Sequence, residues 1–185
     1  MFNGLPDGGF GGNILVASGS LTISDCVFNN AGTALRPNSN IVSWKPALFV
    51  IVCRCQFHGS ITNTGQDGVG LNIQIFSGNL TVLDSIFTTD VIASDGGCIS
   101  FIGVAMLIHN CTFSGISIAR NGGYIFVSTA ILLVQITDCT FGPTSVVNGG
   151  HIAMLSSSAI ITGCTFIGGS AAVSGGSIYF VIQVF

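Results

Sequence analysis

Charge is nearly missing from this chain of 185 residues. It contains no glutamate, seven aspartates as its only acidic side chains, and four cations, Arg36, Lys45, Arg54 and Arg120. Four scattered cations cannot form the positive stripe that tracks a phosphate backbone, so no nucleic-acid partner is expected. Long apolar runs are missing too, although the mean hydropathy is +0.77. The longest, such as Ala47–Cys53 and Phe101–Ile108, fall far short of the ~20 residues a membrane-spanning helix requires. No positively charged segment precedes an apolar stretch at the start, so no signal peptide is read there. Either one has been removed or the sequence is an internal piece of something longer.

What is abundant is apolar or small: 49% of the residues are hydrophobic and 26 are glycine. Such a chain buries a core and is not disordered. The apolar residues recur in copies of one segment. Ile108-His109-Asn110-Cys111-Thr112-Phe113 returns as Ile23–Phe28, Val52–Phe57, Val82–Phe87, Ile136–Phe141 and Ile161–Phe166. The closing phenylalanines stand at 28, 57, 87, 113, 141 and 166, in steps of 25 to 30 residues. Self-similarity at this period is the mark of a solenoid, in which no single unit can bury its apolar side and only the stack folds.

Aligned on the cysteine (Ser85 in the third copy), the columns sort by chemistry. Leu21, Val50, Leu80, Met106, Val134 and Ala159 stand five residues before it, and an Ile or Val stands three before. Apolar and variable positions alternate, the period of two expected of a half-buried strand. The phase slips once, between the Ile/Val column and the Cys column. That places a bend at Asp25, Arg54, Asp84, Asn110, Asp138 and Gly163. Asp, Asn and Gly tolerate such backbone, whereas Arg54 fits the pattern poorly.

A second marker, Gly-Gly-x-Ile, occurs at 11–14, 96–99, 122–125, 149–152 and 175–178, with Ile41 and Ile73 filling the place in the two repeats without it. Each copy reads as a tight turn feeding a strand. From this Ile to the Phe is 14 residues in four repeats and 16 in two, which predicts turns bulging outward from a fixed coil. The fold class expected is all-β: one single-stranded right-handed parallel β-helix of about six to seven rungs over residues 1–185, part of a longer solenoid or a filament subunit. Ladders of Ile/Val, Phe and Cys should run along its axis at roughly 4.8 Å per rung.

Candidate chemistry is sparse. Five of the seven cysteines (Cys26, Cys55, Cys111, Cys139 and Cys164) share one column. Parallel Cβ vectors in register aim poorly for a disulfide, and ligands in one inward file cannot surround zinc. Buried free thiols are the reading preferred. Asp25, Asp84 and Asp138 share the bend column but fall on alternate rungs, about 9.6 Å apart at the sheet spacing. That is no acid–base pair with a convergent partner, and solvated bend residues are the plainer reading. His58, His109 and His151 occupy three different columns and are expected at the surface. Thr112, Thr140 and Thr165 form a short outward file of the kind ice-binding solenoids use, though ordinary surface filling explains it as well. Asn79-Leu80-Thr81 and Asn110-Cys111-Thr112 match the N-glycosylation acceptor pattern, which makes Asn79 and Asn110 candidate glycan sites in a secreted chain.

The strand after each Gly-Gly turn carries apolar residues on the face opposite its Ile, at Leu15, Val42, Phe126, Ala153 and Tyr179. A lateral partner or a glycan coat would cover such a face. The segment from Ile178 through Tyr179, Phe180 and Ile182 to Phe185 stops in mid-rung with an unpaired apolar edge. Either the sequence is a fragment or that edge stacks on another copy. The expected assembly surface is therefore Ile178, Tyr179, Phe180, Ile182, Phe185, Leu15 and Phe126.

The recurring Gly-Gly-x-Ile followed by Leu-x-Ile-x-Asp-Cys-x-Phe resembles the repeats of polymorphic outer-membrane-protein-type surface adhesins, and more broadly the pectin-lyase-like β-helix group. The resemblance spans almost the whole chain. It implies a right-handed parallel β-helix. The regular ladders, the near absence of charge and the uncapped ends add the expectation of an extracellular or cell-surface solenoid, structural or adhesive, non-catalytic, without cofactor or metal, that assembles with itself through its ends or apolar flank. A polysaccharide-binding or polysaccharide-cleaving β-helix is the alternative, since pectin-active members carry clustered aspartates on one outer face. An ice-binding solenoid is the second alternative.

Overall fold

The structure, a computed structural model, describes residues 2–3, 13–34, 39–43, 47–63, 72–92, 95–115, 117–155 and 157–181. It is a right-handed parallel β-solenoid built from three sheets. The first sheet holds Ile14–Val16, Ile41–Ser43, Ile73–Ile75, Ile99–Gly103, Ile125–Ala130, Ile152–Leu155 and Ile178–Val181. The second holds Gly19–Ser24, Ala47–Cys53, Asn79–Leu83, Ala105–His109, Val134–Thr137 and Ala159–Thr162. The third runs through Phe2–Asn3, Val27–Ala34, Gln56–Asn63, Ile86–Ile92, Thr112–Ser114, Thr140–Phe141 and Thr165–Phe166. It is extended by Ser117–Asn121, Thr144–Asn148 and Gly169–Ser174.

Each coil passes from the first sheet to the second, bends, crosses the third and turns back. The bend is where the apolar period slips. Asp25, Arg54, Asp84, Asn110 and Asp138 all adopt left-handed backbone, with φ between 49° and 57°, and Gly163 follows at 66°. One left-handed residue per coil turns the chain so that the Ile/Val column and the Cys column, three apart, both face inward. Arg54, the poor fit by residue type, takes the same conformation as its neighbours in the file.

The register is like on like. Ile14, Ile41, Ile73, Ile99, Ile125, Ile152 and Ile178 pair in sequence along the first sheet. The phenylalanines stack face to face, with ring centroids 4.7, 4.7, 4.7, 4.9 and 5.0 Å apart and planes within 6° of parallel. The backbone of Phe2 registers with that of Phe28. Single-residue register shifts occur against both longer repeats. In one of them Ile131 and Leu132 are pushed outward and are 73% and 65% exposed, the outward bulge predicted there. Trp44, Lys45 and Pro46 of the other lie outside the described residues.

The Gly-Gly turn is also left-handed, at Gly96, Gly122, Gly149 and Gly175. A Cβ at Gly122, Gly149 or Gly175 would meet the carbonyl oxygen of the Ile three residues on. Glycine is required there by contact as well as by φ.

One expectation is corrected. The first sheet is covered by the chain itself in its central coils, on both faces. Ile41, Val42 and Ser43 are all buried, as are Ile73–Ile75, Ile99–Phe101, Ile125–Val127 and Ile152–Met154. Val42, Phe126 and Ala153 therefore need no lateral partner. Gly96, one coil back, sits against Phe126. Only Leu15 in the first coil, 49% exposed, and the half-buried Tyr179 in the last leave this file open.

Candidate functional site

The exposed bend carries Asp25, Arg54, Asp84, His109, Asn110 and Asp138. Arg54 reaches back one coil and holds Asp25 with two parallel hydrogen bonds, Nε to Oδ1 at 2.7 Å and Nη2 to Oδ2 at 2.6 Å. This pairing keeps the Asp25 carboxyl below its ordinary value. Asn110 donates from Nδ2 to Asp84 Oδ1 at 2.7 Å. His109 Nδ1 lies 2.8 Å from Thr137 Oγ1 and 3.4 Å from Asp138 Oδ2. Each of the three bend aspartates thus faces a partner on an adjacent coil, and all three are solvent-exposed. The rail is a set of inter-coil ties, in which neighbouring side chains are brought opposite one another by parallel register.

Beside this rail the threonine file is in register, Thr112 with Thr140 and Thr140 with Thr165. Across the bend Thr137 pairs with Thr162, so two coils present a threonine on either side of the bend.

The inward cysteine file is hydrogen-bonded along its length. Each thiol donates to the carbonyl two residues before it: Cys26 to Ser24, Cys55 to Cys53, Cys111 to His109, Cys139 to Thr137 and Cys164 to Thr162, at 3.1 to 3.4 Å. Ser85 does the same to Leu83 at 2.7 Å. Burial pushes the Cys55 thiol up, and pushes the Cys98 thiol up to about 12. Cys55 and Cys98 are thereby held as protonated thiols in the core, packed as small apolar residues.

A third file escaped the sequence reading. The residue before each first-sheet Ile points inward, one per coil. Asn13 Nδ2 donates to Asn40 Oδ1 at 2.6 Å and Asn40 Nδ2 to Asn72 Oδ1 at 2.9 Å. Cys98, Tyr124, His151 and Ser177 continue the column. Tyr124 donates its hydroxyl to the Gly115 and Pro143 carbonyls. A related ladder joins Asp95, Asn121 and Asn148, with Arg120 capping Asp95 at 2.8 Å. His151 is fully buried, which corrects its expected surface position, while His109 is exposed and His58 half-buried against Thr88 and Gln56.

The other candidates separate clearly. Asn110 is exposed on the bend, whereas Asn79 is half-buried in the second sheet, registered between Phe49 and Ala105. Phe126 is 8% exposed and lies within the chain's own packing, while Phe180 is 41% exposed. Ile178 is half-buried, and Ile182 and Phe185 lie outside the described residues. No helix among the described residues is long and apolar enough to cross a membrane. No family model, curated protein or solved structure matches the chain, so the likeness to surface-adhesin and pectin-lyase-like repeats rests on the repeat residues and the shared solenoid fold.

Proposed function

We propose that this chain is a non-catalytic structural or adhesive β-solenoid, working at the cell surface or outside the cell, that associates with further copies through its coil ends. One observation carries the reading. The coils superpose like on like, Ile14 through Ile178 in one register and Phe28 through Phe166 in one stack, so a coil of a second copy would match the apolar file of a coil of this one. A strand edge in such a regular parallel stack is a template for another parallel strand. An edge that does not close on itself propagates head to tail. The bend carboxylates support the absence of catalysis, because Asp25, Asp84 and Asp138 are each occupied in tying coils together. In a glycosylating secretory pathway Asn110 would be the acceptor ahead of Asn79, since its bend is open to solvent.

Size-exclusion chromatography with negative-stain imaging tests the reading. Rods longer than one chain, growing with concentration and suppressed by Phe180→Lys, are expected. A monodisperse monomer at all concentrations overturns it.

A further inference from the structure

His151 is the one histidine in the core, and its ring joins two coils. Its Nε2–H donates to the Gly142 carbonyl at 2.8 Å and to the Ile167 carbonyl of the following coil at 3.1 Å. The ring lies among Tyr124, Phe141 and Phe166, with centroids 6.2, 6.0 and 5.4 Å away. Its other nitrogen, Nδ1, is buried with no hydrogen-bond partner. That edge of the ring faces Gly169, where a Cβ would stand 2.7 Å from Nδ1. Thr144 Oγ1 is the other unpartnered buried side-chain atom among the described residues, and Thr144 registers with Gly169. The polar weak point of the core is therefore concentrated where the last described coil meets the one before it.

We infer that His151 is an acid-sensitive clasp, which holds residues 165–181 on the solenoid while its imidazole is neutral and loosens them when it is protonated. The proton would enter at Nδ1, the only ring position free to take it, and create a buried N–H facing Gly169 without an acceptor. A buried cation and an unmet donor are both unfavourable in a surround of aromatic rings and backbone. Of the groups facing the ring from the elements packed on it, only the Tyr124 phenol titrates, and burial raises it, so it stays neutral in acid. No carboxylate among the described residues contributes to the environment of the ring, and burial lowers the affinity of His151 for a proton despite its two carbonyl acceptors.

The direction of the effect follows. The unfolded imidazole takes up its proton near 6.5, the ordinary value, and the folded one only at lower pH. Below that value the open state binds more protons, so the closed coil is fully favoured above it and loses stability as the pH falls. This inference rests on the ring's burial and is independent of whether copies assemble.

Hydrogen exchange read by mass spectrometry at pH 7.5 and 5.0, corrected for intrinsic rates, tests it on the whole chain. Protection of residues 165–181 should be lost in part in acid, because the open state binds a proton there that the closed coil binds more weakly. Protection of 72–92 should be unchanged. His151→Gln keeps a donor for the two carbonyls and has nothing to protonate, so its terminal protection should not respond to pH. Equal protection at both pH values in the native chain, or the same acid loss in His151→Gln, overturns the inference. Should that variant fail to fold, imidazole nitrogen NMR of the native chain decides. A ring that stays in the Nε2–H form below 6.5 and protonates together with opening of 165–181 supports the clasp. Protonation near 6.5 with those amides undisturbed refutes it.

Discussion

The backbone amide of Cys55 donates to the side-chain oxygen of Ser85 on the next coil, at 3.1 Å. Two coils further on, the amide of Cys111 meets Cys139 Sγ in the same way, at 3.4 Å. Serine thus serves in the cysteine file as both acceptor from one coil and donor to its own Leu83 carbonyl. Ser85→Ala should leave a buried amide without its acceptor and cost about 1–3 kcal/mol, whereas Ser85→Cys should restore the pattern of the other coils. Urea melts of the two variants check this; equal stability would show that the file is mere packing.

The phenylalanine stack grades from core to end. Phe113 is fully buried between Phe87 and Phe141, while Phe166 is half-exposed. Phe113→Ala should cost about 3–5 kcal/mol, the usual loss for a buried aromatic, and Phe166→Ala clearly less. Thermal unfolding separates them, and an inverted order would contradict the burial gradient.

Two left-handed positions should respond differently to substitution. At Gly122 a Cβ would run into the Ile125 carbonyl, so Gly122→Ala should destabilise by about 1–3 kcal/mol or more. At the exposed bend Arg54 already carries a side chain at φ 51°. Arg54→Gly relieves that backbone while losing the Asp25 pair, and its stability should stay near that of the native chain. Paired melting curves check the contrast.

The same ion pair sets a small acid dependence. Arg54 lowers the Asp25 pKa from 3.8. The contribution is present above 3.8, where the unfolded carboxyl is ionised, and fades as the pH falls through the lower folded value. Both side chains are more than half exposed, so the effect should be slight and screened by salt. Asp25→Asn should lower the melting temperature slightly at neutral pH, where the pair is formed, and flatten its profile below 3.8, where the native chain loses the pair.

Much of the architecture was legible because repetition makes each column its own control. Six aligned phenylalanines, an Ile/Val column and an Asp/Asn bend residue have one joint solution in period and phase. The turn column was harder. Asn13, Asn40, Asn72, Cys98, Tyr124, His151 and Ser177 share no chemistry, so nothing in the alignment marked them as inward-facing, and the burial of His151 went unread. Runs of three asparagines at coil spacing were the available signal. The register of Phe2 was also within reach, since it stands 26 residues before Phe28, but it lacks the flanking Ile and Cys that identify the stacked phenylalanines. Cover over Val42, Phe126 and Ala153 depends on how one coil's turn lies against the next, which alternation within a strand does not encode.

Coil-on-coil superposition is tested most directly by nuclear Overhauser contacts among selectively ring-labelled phenylalanines. Ring contacts linking 28 to 57, 57 to 87, 87 to 113, 113 to 141 and 141 to 166, in that order, are the predicted result. A spectrum in which these rings touch out of order, or in which neighbours along the file fail to touch, would contradict the stacked coils on which the fold and the proposed assembly both depend.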